Sequence, residues 1–203
     1  MMRAVIFDVD GVLLDDTKVY IKAYRETGRK LGLKVPPVSE IRKAFGLTWT
    51  DMLTKFYGEA NEELKNAYSE TVRSLEKEIK IMDSLEYVLK KIKIKKAIAS
   101  SKSRPILEKH LRSLTKFFEV IITREDTEKH KPNPEPLLLV CKRLGIKPEE
   151  AVYIGDAVID YETAKNAGTS FIGFVSGSAS KEDFESLNVK FITSLKELLS
   201  EFQ

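Results

Sequence analysis

Short apolar runs alternate with helical patterns along most of this chain, and that alternation restricts the folds open to it. The runs are apolar at successive positions, as in strands that are buried on both faces of a sheet. They fall at residues 4–7, 97–99, 120–122, 151–154 and 170–173, and the helical patterns between them include 105–114, 135–144 and 161–167. Strands that alternate with helices predict an α/β fold whose parallel sheet is covered by helices on both faces.

The segment from residue 16 to residue 81 departs from this alternation, because it shows helical periodicity without strand-like runs. Its helical patterns span 19–31, 39–44, 49–56 and 62–78, and prolines and glycines separate them. A helical insertion after the first strand is the simplest account. We therefore predict a core domain made of residues 1–15 and 82–203 and an all-helical cap made of residues 16–81.

The composition of the 203-residue chain argues against several classes of function. The net charge is +3 with both signs interspersed, so a nucleic-acid surface is not expected. The single cysteine, Cys141, lies in an apolar run and is expected to be a small buried hydrophobe. No apolar run reaches membrane-spanning length, and the N-terminal residues lack a leader-like apolar region. We expect a cytoplasmic monomer or homodimer without membrane partners.

Polar residues follow four of the predicted strands at the point where each strand ends. Because the carboxyl ends of parallel strands lie at one edge of the sheet, these side chains are expected to meet there. The sets are Asp8 and Asp10 after the first strand, 100–103 after the second, Lys131 in the loop after the third, and Asp156 and Asp160 after the fourth.

Four carboxylates at one edge cannot all remain ionised without a cation. Oxygen ligands without a metal-spaced histidine pair favour Mg²⁺ over Zn²⁺, and His110 and His130 have no such spacing. Magnesium, a fixed lysine and a hydroxyl suit phosphoryl transfer, in which catalysis is mostly positioning and charge neutralisation.

Each of these motifs has a structural alternative when it is taken alone. An Asp-x-Asp pair can form a turn, Asp156 can cap a helix, residues 100–103 can cap the helix that follows, and Lys131 can lie in a surface loop. The occurrence of all four in chain order, each close behind a strand, favours a shared site over four separate coincidences.

The sequence resembles the haloacid dehalogenase-like hydrolase superfamily, and within it the phosphoglycolate-phosphatase-like and β-phosphoglucomutase-like members with a small helical cap. The resemblance covers nearly the whole chain, and the four family motifs match residues 7–13, 98–103, 131–136 and 154–160. It implies a Rossmann-like, doubly wound parallel sheet in the core and Mg²⁺ as the cofactor.

The resemblance also implies roles for the carboxylates. Asp8 would be the nucleophile that forms an aspartyl-phosphate, and Asp10 would be the general acid and base. Asp8, the backbone carbonyl of Asp10 and Asp156 would hold the metal, with Asp160 acting more indirectly. With these roles the chain would be a magnesium-dependent phosphatase.

The remaining motif residues are expected to bind the phosphoryl group and the substrate. By the resemblance, Ser100 and Lys131 would hold phosphoryl oxygens, and Lys131 also supplies the positive charge that the reaction needs. Gly11 would let backbone N–H groups approach the phosphate. Ser101 and Lys102, next to Ser100, are included as candidate binding residues.

Rival functions remain open at this point. A phosphomutase would use the same catalytic residues, whereas the family's dehalogenases lack the second aspartate that Asp10 provides here. A phosphonate-cleaving enzyme would need a cap lysine such as Lys18, Lys22 or Lys30. A non-catalytic binding protein would be favoured by a missing motif residue, and none is missing.

The expected substrate is a small phosphorylated metabolite of the phosphoglycolate or sugar-phosphate type. Arg42 and Trp49 flank Gly46 in the part of the cap that resembles the family's substrate-facing loop, so both are candidate substrate contacts. Alternatively, Arg42 lies on the solvated face of a helix and Trp49 packs inside the cap. Residues 82–84 replace the Pro-Gly turn that is common after the cap, which affects the hinge and not the chemistry.

Overall fold

The computed structural model describes residues 1–202, and within that range six strands form one parallel sheet. In chain order the strands are β1 (Ala4–Phe7), β2 (Leu14–Asp15), β3 (Lys80–Ile81), β4 (Lys95–Ala99), β5 (Val120–Ile122), β6 (Ala151–Gly155), β7 (Ser170–Phe174) and β8 (Phe191–Ile192). The sheet has the order β5-β4-β1-β6-β7-β8, and every neighbouring pair is parallel. Strands β4 and β5 lie on one side of β1, and β6, β7 and β8 lie on the other. This is the doubly wound arrangement that the sequence predicts.

Ten α-helices accompany these strands in residues 1–202. They are α1 (Thr17–Lys30), α2 (Val38–Ala44), α3 (Trp49–Tyr57), α4 (Glu62–Leu75), α5 (Leu85–Lys91), α6 (Arg104–Leu111), α7 (Glu135–Leu144), α8 (Val158–Ala167), α9 (Lys181–Ser186) and α10 (Leu199–Phe202). Helix α8 begins three residues before the predicted 161, and α6 ends at Leu111 and continues as the 3₁₀ helix Arg112–Phe117. No helix in this range is both long enough and apolar enough to cross a membrane.

The central strands send alternate side chains to opposite faces of the sheet. One face packs against α5, α6 and the C-terminal helices, and its strand residues include Val5, Phe7, Ile98 and Ile154. The other face packs against α7 and α8, and its strand residues include Ala4, Ile6, Ala97, Ala99 and Tyr153. All of these strand residues are fully buried, which explains why the runs are apolar without alternation.

The cap has an apolar core of its own, formed mainly by side chains of α1, α3 and α4. Helices α1 and α4 pack together, and the Tyr24 ring of α1 lies 4.6 Å from the Tyr68 ring of α4, centre to centre. Side-chain caps begin two of the helices: Thr48 accepts from the Asp51 N–H ahead of α3, and Asn61 accepts from the Leu64 N–H ahead of α4.

The neck between cap and core contains the main correction to the predicted elements. The segment 16–81 is predicted to be all helical, but its last two residues form β3, which pairs antiparallel with β2. The Met82 N–H extends this contact by donating to the Leu13 carbonyl at 2.9 Å. A strand of two residues is too short to show a pattern of apolar and polar residues, so the sequence does not predict β2, β3 or β8.

Ser84 closes the turn that follows the neck in a left-handed conformation, with φ 64° and ψ 4°. This conformation costs about 1–2 kcal/mol for a residue with a Cβ, and glycine adopts it freely. Ser84 therefore adopts, with some strain, the left-handed conformation that the more common glycine adopts without it.

Ser84→Gly should raise the free energy of unfolding by up to about 1 kcal/mol, since relief of the left-handed strain exceeds the extra entropy of an unfolded glycine. Ser84→Val should lower it by about 1 kcal/mol or more, because a β-branched residue fits positive φ poorly. Urea unfolding measures both changes. Asp83→Gly, at the neighbouring position, is the control and should not stabilise the fold. If Asp83→Gly stabilised the protein and Ser84→Gly destabilised it, Ser84 would not be the strained residue.

Candidate active site

The site lies where the carboxyl ends of β1, β4 and β6 meet. Strand β1 has β4 on one side and β6 on the other, so residues that follow these strands become neighbours. The Asp8 N–H donates to the Ile154 carbonyl at 2.9 Å, and the Ser100 N–H donates to the Ile122 carbonyl at 3.0 Å. These bonds extend the sheet by one residue and fix Asp8 and Ser100 at its edge.

Lys131 ties two of the predicted carboxylates together in the interior. Its Nζ lies 2.7 Å from Asp160 Oδ1 and 3.0 Å from Asp8 Oδ2, and all three side chains are almost fully buried. The Tyr153 ring centre lies 5.2 Å from the same Nζ, and the Tyr153 hydroxyl donates to the Ala99 carbonyl at 3.1 Å. The lysine is therefore held on several sides and cannot swing away from Asp8.

Asp8, Asp156 and Asp160 form a buried cluster in which one oxygen of each lies within 4.8 Å of the others. Asp160 is already engaged, since Oδ1 pairs with Lys131 and Oδ2 accepts from the Ala157 N–H at 3.1 Å. Asp8 Oδ1, by contrast, is buried without a hydrogen-bond partner among the described residues. An orphaned anionic oxygen beside a second carboxylate is a site that fits a hard cation.

Burial and crowding keep the carboxyls of Asp8 and Asp156 from ionising easily in the absence of a cation. Burial raises the pKa of Asp8 from its ordinary 3.8 to about 7, although Lys131 opposes the shift. Burial, together with Asp160, raises the pKa of Asp156 well above its usual range. Burial alone would lower the pKa of Lys131, but Asp160 and Asp8 reverse that effect and raise it, so the lysine is a permanent cation.

The turn after β1 requires glycine at position 11. Gly11 has φ 69°, and a Cβ there would overlap the Asp156 carboxylate. Its own N–H donates to Asp16 Oδ1 at 3.0 Å. The glycine is thus needed for a close approach of two chain segments, and the buried Asp16 carboxylate accepts its N–H.

Lys102 points at Asp10 and forms a close ion pair with it. Its Nζ also lies 2.7 Å from the Tyr20 hydroxyl and 3.6 Å from Asp16 Oδ2. Burial alone would raise the pKa of Asp10, but the ammonium of Lys102, a hydrogen bond with Asp16 and the charge of Lys131 together outweigh burial and lower that pKa. Lys102, a candidate substrate-binding residue, lines the cavity and is paired there with the Asp10 carboxylate.

Asp16 and Tyr20 are site residues that the sequence analysis does not identify. Both lie at the start of the cap, outside the four motifs, and reach the site only because α1 begins above the β1 turn. Burial raises the pKa of Asp16 well above its usual range, and the neighbouring Asp10 adds to this shift. A polar residue directly before the first cap helix is the one signal that could have indicated Asp16.

The other predicted binding residues have separate environments. Ser100 is buried, and its Oγ accepts from the Lys102 N–H at 3.2 Å. Ser101 Oγ donates to the Gly46 carbonyl at 2.9 Å and so joins core to cap. Trp49 lines the cavity between the two domains. Arg42 is exposed and is not among the residues, within 1–202, that line this cavity, because α2 turns Ile41 and Ala44 inward.

The cavity between core and cap has a volume of about 530 Å³. Asp8, Asp10, Asp156 and Lys102 line its core end, and Trp49 and Tyr68 are among its cap residues. Pockets of about 300–1,000 Å³ are typical of small-molecule sites. The arrangement thus places the buried Asp8 carboxylate, the carboxylates of Asp10 and Asp156 and the Lys102 ammonium at one end of a chamber that can hold an organic molecule.

Comparison with known proteins gives consistent matches over most of the chain. Residues 5–174 match the family model described as haloacid dehalogenase-like hydrolase. A phosphorylated carbohydrates phosphatase from Thermotoga maritima is 35% identical over 183 residues, covering 82% of this chain and 82% of that protein. The pyrophosphatase PpaX of Bacillus velezensis is 30% identical over 185 residues, covering 85% and 82%. A crystal structure from Bacteroides fragilis superposes with a TM-score of 0.86 and 28% identity, covering 98% of this chain and 100% of that chain.

The raised pKa of Asp8 predicts how stability depends on pH in the metal-free protein. The folded chain binds this proton more tightly than the unfolded chain, so stability falls as the pH rises from about 4 to about 7. Asp8→Asn removes that loss, and its advantage over the wild type should grow by about 3 kcal/mol between pH about 5 and about 8. Urea unfolding in EDTA measures the difference, with the exposed Asp83→Asn as the control. A difference independent of pH would show that Asp8 is ionised throughout.

Proposed function

The chain belongs to the haloacid dehalogenase-like hydrolase family, and we propose that it is a Mg²⁺-dependent phosphatase that hydrolyses an organic phosphomonoester through Asp8. The proposal rests on the environment of Asp8, which lies buried at the end of a large cavity. One of its carboxylate oxygens pairs with Lys131, and the other has no hydrogen-bond partner among the described residues. The phosphatase names of two relatives support the proposal.

In the first half-reaction, Asp8 attacks phosphorus and the bond between phosphorus and the leaving oxygen breaks. Asp10 passes a proton to that oxygen as negative charge develops there, relaying it from the neighbouring Asp16 carboxyl, whose pKa is raised by burial. The ammonium of Lys131, 3.0 Å from Asp8, stabilises the charge on the equatorial oxygens, and Ser100 can add a hydroxyl donor beside it. The product of this step is an aspartyl-phosphate on Asp8.

In the second half-reaction, Asp10 takes a proton from the water that attacks the phosphoryl group, and Asp8 is regenerated as a carboxylate. Lys102 and Asp16 hold Asp10 at the end of the cavity, so the same carboxyl is placed for both proton transfers. A dehalogenase would need no proton donor for its leaving halide, and the placement of Asp10 therefore favours an oxygen leaving group.

A bound Mg²⁺ would be held by the side chains of Asp8 and Asp156 and, as the family resemblance implies, by the backbone carbonyl of Asp10. When bound, it neutralises the crowded carboxylates and lets an anionic nucleophile approach an anionic phosphate. Asp160 acts through Lys131 and the Ala157 N–H, because both of its oxygens are already engaged. In this proposal Asp160 positions Lys131 and does not bind the cation directly.

Mg²⁺ should be required for turnover and should also stabilise the folded protein. EDTA should abolish hydrolysis of p-nitrophenyl phosphate, added Mg²⁺ should restore it, and Ca²⁺ should inhibit because its looser coordination misplaces the reactants. Mg²⁺ should raise the melting temperature of the wild type but not that of Asp156→Asn. Asp83→Asn, an exposed change, should keep the shift. Full activity of a metal-free sample would refute this assignment.

The roles of Asp8 and Asp10 can be separated by their Asn variants. Asp8→Asn should abolish turnover of every substrate, because no carboxylate remains to attack phosphorus. Asp10→Asn should release up to about one equivalent of nitrophenolate from p-nitrophenyl phosphate and then stall, since this leaving group (conjugate-acid pKa about 7) needs little acid help.

An alkyl phosphate supplies the contrast for that experiment, because its leaving alkoxide has a conjugate-acid pKa of about 15. Asp10→Asn should show almost no burst with it. Rapid-quench measurement of released product and of phosphate bound to protein distinguishes the cases. Equal losses on both substrates, with no burst and no trapped phosphate, would mean that Asp10 is not the acid and base. Release of inorganic phosphate by the wild type separates a phosphatase from a mutase.

A further inference from the structure

The loop that joins β7 to α9, residues 175–180, lies against Asp156 although it belongs to none of the four motifs. Strand β7 is the parallel neighbour of β6, with Gly173 opposite Gly155. The residues that follow these two strands therefore emerge side by side at the same edge of the sheet. The loop thus reaches the site by the same geometry that brings the motifs together.

Backbone and side-chain hydrogen bonds fix this loop at both ends. The Val175 N–H donates to a carbonyl of β8 at 2.9 Å, and the Ala179 N–H donates to the backbone carbonyl of Asp156 at 2.8 Å. Ser180 then caps the first turn of α9 with its side chain. The intervening residues 176–178 are therefore held in place beside Asp156.

Two hydroxyl groups of the loop contact the Asp156 carboxylate. Ser176 Oγ donates to Asp156 Oδ2 at 3.2 Å. Ser178 borders the cavity alongside Asp156 and also forms a hydrogen bond with its carboxylate. Both serines are half-buried, so these contacts lie at the wall of the site and not on the open surface.

Gly11 restricts the same carboxylate from the turn after β1. A Cβ at position 11 would overlap Asp156, and its nearest neighbour would be Oδ2, the oxygen that accepts from Ser176. An aspartate side chain by itself turns over a broad range about its last torsion angle. Contacts from two separate segments remove that freedom and leave the carboxylate in one orientation.

Asp156 depends on these contacts more than the other carboxylates of the cluster do. Lys131 pairs with both Asp8 and Asp160, whereas within residues 1–202 no lysine or arginine forms an ion pair with Asp156. Mg²⁺ demands nearly ideal octahedral geometry, so a ligand that turns freely binds it poorly. Groups that hydrogen-bond a metal ligand supply that order, and their loss typically lowers metal affinity about 10–100-fold.

On the basis of the Mg²⁺-dependent function proposed above, we propose that Ser176 and Ser178 are positioning residues that orient Asp156 to bind Mg²⁺. Both act through the Asp156 carboxylate. The loop after β7 thereby becomes a fifth segment of the site, in addition to the four motifs.

Titration calorimetry of the full chain with Mg²⁺ tests this role directly. Ser176→Ala should weaken Mg²⁺ binding by about 10-fold, and the double variant Ser176→Ala/Ser178→Ala should weaken it further, by up to about 100-fold. Ser176→Thr keeps a hydroxyl donor and should retain most of the affinity. Ser186→Ala is the control, because it removes an exposed hydroxyl on α9 that donates to the Asp183 carbonyl, and it should leave the affinity unchanged.

Two further measurements separate a positioning role from a loss of fold. Since both serines are only half-buried, the variants should melt close to the wild type in EDTA. At limiting Mg²⁺, Ser176→Ala should hydrolyse p-nitrophenyl phosphate more slowly than the wild type. About 10-fold more Mg²⁺ should restore its rate, because a higher concentration offsets the weaker Kd.

The binding data also distinguish this role from the function on which it rests. A double variant that binds Mg²⁺ as tightly as the wild type would overturn it, and so would equal losses in Ser176→Thr and Ser176→Ala. If the wild type itself does not bind Mg²⁺, the proposed cation site fails and the role of the loop fails with it. If the variants lose affinity as expected but the wild type hydrolyses no phosphomonoester, the phosphatase function fails while the positioning role stands.

Discussion

The ammonium of Lys131 is the point on which the site depends. It lies in the interior between Asp8 and Asp160, and without it two buried carboxylates at the end of the sheet would repel one another and be left unsolvated. Breaking a buried ion pair by removing one partner typically costs about 3–5 kcal/mol. The same lysine also holds Asp8, the proposed nucleophile, in one orientation, so one contact both stabilises the sheet edge and positions this carboxylate.

Core and cap each bury an apolar cluster of their own, and the contacts between them near the site are mainly polar. Ser101 donates to Gly46, Lys102 meets Tyr20, and Lys109 pairs with Glu76. Polar contacts of this kind can be exchanged for water at little cost, whereas separating two apolar surfaces would be expensive. The cavity can therefore open for substrate without exposing either apolar core.

The sequence predicts the parts of this molecule that arise from local pattern. The buried strands and the residues that follow β1, β4 and β6 are recognisable because burial and strand ends leave a signature over a few residues. The contact between Lys102 and Tyr20 joins residues 82 positions apart, and no local pattern indicates it. The direction of Arg42 depends on which face α2 turns inward, which short helices specify weakly.

The neck of two short strands has a consequence for the history of such proteins. The chain leaves the core at β2 and re-enters it at β3, directly alongside, so the two ends of the cap are neighbours in space. A segment whose ends already meet can be exchanged as a cassette without stretching the scaffold that receives it. Asp8, Asp10 and Lys131, the residues proposed to carry out the reaction, belong to the core, whereas the cap residues that line the cavity lie in the segment between β2 and β3. The cap can therefore be replaced in evolution, and the substrate range changed, while the core and its chemistry are kept.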